Sequence, residues 1–167
     1  MKKLLTIISM SILSFSCTKE NKTDSSIHQS LSSDSLGHEI DYRAFKINVP
    51  EGWEKLKLQG IDSYVGGIVT NHQDTITFDL GWYSNRLNSE EDKHLVSYDT
   101  VDHYKVKIVK PKNIGDGITG IYIDSLWQSG SAISRFNLYG NDLCLEDHNN
   151  LLKAVRTIQF DKKDQSK

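Results

Sequence analysis

Two stretches place carboxylates beside an imidazole, the inventory of a water-activating site or a cation site. The first is Asp99-x-x-Asp102-His103. Its spacing matches no standard metal-ligand pattern, and it reads as turn acids beside a surface histidine. The second is Asp147-His148-Asn149-Asn150, at the head of an apolar-periodic segment. Acids and asparagines there cap a helix and complement its dipole. There are two cysteines, Cys17 and Cys144. Cys144 lies between Leu143 and Leu145 and reads as a small buried hydrophobe rather than a reactive thiol. HExxH, CxxC, GxSxG and a phosphate-binding glycine loop are all missing. The stretch "GIDSYVGG" (residues 60–67) lacks the lysine such a loop needs. No catalytic set, metal site or cofactor is therefore assigned. The competing reading is a hydrolase built on His103 and a carboxylate such as Asp99.

Aromatic residues offer a different chemistry. Tyr64, Tyr83 and Trp127 are candidates for a ligand or partner surface, since aromatic side chains supply contact area at low entropic cost. Trp82 shares the alternation of Ile76, Phe78 and Leu80 and is expected in the core. Twenty basic side chains stand against 22 acidic ones, with no basic block. A nucleic-acid partner is excluded on that balance.

The elements that must position these residues follow from periodicity. Phe45–Val49 alternates apolar and polar and is expected to be a strand, ended by Pro50-Glu51-Gly52. Asp62–Val69 reads as a strand interrupted by Gly66-Gly67, either a bulge or a point of close backbone approach. Asn71–Asp74 is a turn, and Thr75–Tyr83 (TITFDLGWY) is the clearest strand. A polar crossing from Ser84 to Asp102 is given a short helix around His94–Tyr98. Strands are expected at His103–Val109, Ile118–Asp124 and Ser131–Tyr139, the last two joined through Trp127–Gly130. A helix over about Glu146–Ala154 and a short ending at Ile158 and Phe160 complete the chain. Strands followed by a helix predict an α+β domain, an antiparallel sheet packed against helices, over residues 41–160. Residues 161–167 form a charged tail.

The N-terminus has its own logic. Met1-Lys2-Lys3 is basic, and Leu4–Phe15 is apolar and uncharged. At about 1.5 Å per residue that run is too short for a roughly 30 Å hydrocarbon core, and it suits a signal peptide. Leu13-Ser14-Phe15-Ser16-Cys17 resembles the lipobox of bacterial lipoproteins, with Ser14 where an aliphatic residue is usual. The resemblance implies cleavage of residues 1–16 and lipidation of Cys17, which leaves Cys144 without an intrachain disulfide partner. Residues 1–16 hold two of the 20 basic side chains and no acid, so a chain starting at Cys17 carries a formal charge near −4. Residues 17–40, rich in Ser, Asp, Lys and Asn, form the lipidated cysteine and a flexible tether. Thr18 in place of an aspartate, with Lys19-Glu20, resembles the sorting signals of outer-membrane lipoproteins. The implied location is the outer membrane of the cell envelope, facing the periplasm or the outside.

Phe45-x-Ile47-x-Val49-Pro50-x-Gly52-Trp53, with the late LLKAVRTIQF, resembles the PsbP-like domains found in bacterial lipoproteins of unknown function. That resemblance implies an antiparallel sheet covered by helices, and no activity. The expectation is a membrane-anchored, non-catalytic binding or accessory module whose partner is an envelope protein or a small ligand.

Overall fold

Alternation decides the centre of the molecule. Within Thr75–Gly81, Ile76, Phe78 and Leu80 are buried, while Thr77 and Asp79 between them are only partly covered. Successive side chains of a strand face opposite sides of a sheet, so one face of this strand is core. The computed structural model describes residues 36–88, 92–129 and 132–161. Cys17, the tether up to residue 35 and the tail from residue 162 lie outside the described residues.

The chain runs β1 (His38–Asp41), β2 (Phe45–Val49), β3 (Glu54–Lys57), β4 (Tyr64–Val69), β5 (Thr75–Gly81), β6 (His94–Val101), β7 (Tyr104–Pro111), β8 (Ile118–Ser129) and β9 (Ala132–Asn141). Helix α1 (Leu145–Ala154), a 3-10 turn (Val155–Thr157) and β10 (Gln159–Phe160) follow. Strands in the order β3-β4-β5-β9-β8-β7-β6 form a seven-stranded sheet, and β1-β2-β10 form a three-stranded one. All pairings are antiparallel.

The expected α+β domain with helices over the sheet is corrected by this architecture. Among the described residues 54% are strand and 11% helix. The small sheet and α1 together cover one face of the large sheet. Phe45, Ile47 and Val49 of β2 meet Ile76, Phe78, Ile121, Phe136 and Leu138 of the large sheet, with Leu151 and Ala154 of α1 in the same core. Helical apolar spacing occurs only near α1. Elsewhere alternating residues bury one face, and a second sheet is the cover they supply.

Three further expectations change. The segment given a helix around His94–Tyr98 is β6, paired with β7 from His94↔Pro111 to Val101↔Tyr104. As an edge strand it is exposed on both faces over most of its length, so its alternation is faint in the sequence. The β6–β7 turn holds Asp102 and His103 at φ 44° and 70°, the left-handed pair of a tight hairpin. Trp82, expected in the core, lies past the end of β5 and is 54% exposed. Finally, β1 begins at His38, inside the span assigned to the tether, and Gly37 N–H donates to Val49 O at 2.7 Å.

Gly66-Gly67 marks close approach, not a bulge. The β4–β5 register is unbroken from Tyr64↔Leu80 to Val69↔Thr75. A Cβ on Gly66 would stand 2.5 Å from Phe78 Cε1, so the Phe78 ring lies flush on this backbone. Phe78 also meets Tyr42 and Phe45 at centroid distances of 4.7 and 5.0 Å.

Candidate functional site

The three aromatics proposed as one surface occupy different settings. Tyr64 packs edge-on against Phe78 at 5.4 Å, and its hydroxyl donates to Tyr42 O at 2.7 Å. Trp127 packs against the main core, its indole N–H buried without a hydrogen-bond partner among the described residues. Tyr83 is 80% exposed and stacks on Trp82 at 6.1 Å. No ring contact joins any two of the three among the described residues. The neighbour of Tyr83 is Trp82, whose carbonyl accepts a hydrogen bond from Arg135 Nη1. Arg135 Nε also reaches Asp124 Oδ1 at 3.3 Å.

Asp99, Asp102 and His103 do not assemble a site either. Asp99 pairs with Arg156 at 3.1 Å, and Asp102 Oδ2 accepts the Phe160 N–H at 2.7 Å. His103 is exposed in the turn. Asp102 therefore pins β10 to the β6–β7 hairpin.

A different cluster forms where the β4–β5 turn meets the start of α1. Thr70 shapes the turn: its Oγ1 accepts the His72 and Asp74 N–H groups at 3.2 and 3.1 Å. After β9, Leu143 is buried against Gly140, where a Cβ would stand 2.7 Å from Leu143 Cδ2. The chain then enters α1 with Cys144 as its N-cap residue, and no side chain caps this end. Glu146 and Asp147 occupy the first turn.

These two loops bring His72, Cys144 and Asp147 together, one donor atom from each lying within 4.8 Å of the others. Cys144 Sγ is 3.6 Å from His72 Nδ1, and Asp147 Oδ2 is 3.1 Å from the same nitrogen. Asp147 is 1% exposed, yet its Oδ2 has no hydrogen bond of good geometry. Glu146 Oε2 lies 3.7 Å from His72 Nε2, on the other side of the ring. Asp147, aided by the charges of Glu146 and Asp74, raises the His72 pKa above its ordinary value against the opposing effect of burial. Burial raises the Asp74 pKa; the Cys144 backbone N–H opposes that shift and the charge of Asp147 adds to it. His148 belongs to a separate contact: its Nδ1 lies 2.7 Å from Thr119 Oγ1, and burial lowers its pKa.

In the sequence Cys144 reads as a packing residue and Asp147 as a capping one. His72 and Cys144 are 72 positions apart, so no local spacing could join them. The legible signal was weaker: a cysteine placed directly before a helix whose first turn is acidic. The surface grooves around Arg156, Lys107, Tyr64 and Asn137 are lined by other residues. Compared with known protein families, curated proteins and solved structures, the chain matches none.

Proposed function

We propose that this chain is a lipid-anchored accessory module of a bacterial cell envelope, held at the outer membrane through Cys17 and recognising an envelope protein or a small ligand. The observation that carries this reading is the order at the N-terminus: basic start, short apolar run, small Ser16, then Cys17 and a polar stretch. A single acyl chain gives marginal binding, whereas the multiple chains of a lipidated cysteine anchor durably. The fold supports the recognition role with the Trp82–Tyr83 pair. Both rings stand in solvent beyond the end of β5, with Arg135 holding the backbone beneath them. A rigidly presented aromatic pair loses little entropy on contact.

The test is Cys17→Ala. Labelled palmitate should mark the wild type only, and fractionation should move the variant from the membrane pellet to the soluble fraction while its domain stays folded. Label retained in the variant refutes the anchor. A second reading, an envelope hydrolase, draws on Cys144, His72 and Glu146, which stand in the order thiol, imidazole, carboxylate. The position of Asp147 beside His72 Nδ1 weighs against it.

A further inference from the structure

We propose that His72, Cys144 and Asp147 bind a thiophilic divalent cation, Zn²⁺ being the best match to one nitrogen, one sulfur and one oxygen donor. Borderline-soft Zn²⁺ takes Cys, His and carboxylate ligands in tetrahedral array. With bonds of about 2.0 Å to N and O and about 2.3 Å to S, tetrahedral edges are about 3.3 Å for N–O and about 3.5 Å for N–S. The corresponding separations here are 3.1 Å for His72 Nδ1 to Asp147 Oδ2 and 3.6 Å for His72 Nδ1 to Cys144 Sγ. The third pair also lies within 4.8 Å. The donors thus already stand at ligand-to-ligand spacing.

Asp147 is the most deeply buried of the three donors. Its carboxylate is withdrawn from water, and Oδ2 faces His72 Nδ1 at 3.1 Å with no hydrogen bond of good geometry. A buried carboxylate oxygen held only by that contact gains from a cation placed in the cluster. The surroundings agree. Cys144 is the N-cap residue of α1, which sets its sulfur at the positive end of the helix dipole. Glu146 stands beside His72 Nε2, the place where a ligating histidine gives its other N–H to a carboxylate. Binding expels the Cys144 thiol proton, and any second proton on His72, into solvent. The ion ties the β4–β5 turn to the start of α1.

The same residues make a poor nucleophile and base. Asp147 Oδ2 is closer to Nδ1 than the sulfur is, 3.1 against 3.6 Å, so a proton on that nitrogen points to the carboxylate. Nδ1 is then not free to take the thiol proton.

The experiment uses the full chain, purified in detergent, stripped with EDTA and titrated with Co²⁺ and then Zn²⁺. One Co²⁺ per chain should bind, with a thiolate-to-cobalt charge-transfer band and the intense visible bands of a tetrahedral site, both abolished by Zn²⁺. The charge-transfer band should be lost in Cys144→Ser and kept in Cys17→Ser. Glu146→Gln should weaken binding about tenfold or more, the usual effect of losing a partner behind a ligand. Melts in EDTA identify variants that remain folded, and Zn²⁺ should raise the melting temperature of the wild type but not of folded Cys144→Ser. A folded wild type without the band overturns the proposal, as does a band that survives in Cys144→Ser. So does rapid alkylation of Cys144 that excess Zn²⁺ leaves unslowed, which assigns the thiol to nucleophilic chemistry. None of these outcomes bears on the lipid anchor, which the Cys17 experiment tests separately.

Discussion

Gly66→Ala and Phe78→Ala should each destabilise the protein, and together by less than their sum. Phe78 is 1% exposed, wedged among Tyr42, Phe45 and Tyr64 and lying directly across from Gly66 in the ladder. Removing its ring leaves a cavity that the surrounding aromatics fill only in part, at a cost of about 3–5 kcal/mol. A methyl on Gly66 meets the same ring at 2.5 Å. The ring is in contact with Tyr42 and Phe45 and has little room to yield, so the overpacking cost should be about 1–3 kcal/mol. In the Phe78→Ala background the clash is gone, and the new methyl enters the cavity. Gly66→Ala should then be neutral or stabilising, which gives a coupling of about 1–3 kcal/mol in the double-mutant cycle. Urea melts read this directly: with a slope of about 2 kcal/mol per molar, Phe78→Ala lowers the midpoint by on the order of 2 M. Thr77→Ala, on the opposite face of β5, serves as the control and should cost far less. Additive effects of Gly66→Ala and Phe78→Ala would show that the ring does not rest on the glycine. Equal losses at Thr77 and Phe78 would show that the inward face of β5 has been misassigned.

Trp82→Ala should change stability by less than about 0.5 kcal/mol, as expected for a substitution in solvent; a large drop in the urea midpoint would return Trp82 to the core. Asp102→Ala should cost about 1–3 kcal/mol, because Phe160 N–H loses its acceptor and alanine is disfavoured at φ 44°, whereas Asp102→Asn should retain most of the stability. His72 makes a pH prediction, tested in EDTA. Its folded pKa is raised above the ordinary 6.5, so its pairing with Asp147 contributes fully below the unfolded value and fades as pH rises through the folded one. The stability gap between wild type and His72→Gln should therefore be wider at about pH 6 than at about pH 8; a gap that widens with pH would refute the assignment.

Local pattern carried much of the strand framework and the one helix. Phe45–Val49 and the core of Thr75–Gly81 alternate cleanly because each buries a single face. The helix expected from Glu146 begins one residue earlier, at Leu145. What failed did so for identifiable reasons. β6 is an edge strand with little to bury, so it gave no apolar period. The alternation of β5 runs on into Trp82 in the sequence, but the ladder stops at Gly81, where the last β5–β9 pair meets Arg135. β1 and β3 are four residues each and polar in part, too short for periodicity to register.

By itself the sequence determined which faces are apolar, where the chain turns, and the N-terminal order that ends at Cys17. Those are properties of neighbours along the chain, and periodicity or motif spacing expresses them directly. The tertiary structure alone decided what covers the apolar face, a second sheet rather than several helices, because patterning says that a face must be buried but not by what. It also decided the His72–Cys144–Asp147 cluster. The register of β4, β5 and β9 carries two distant loops to the same end of the sheet, and burial beside α1 withdraws the Asp147 carboxylate from water next to His72 and Cys144.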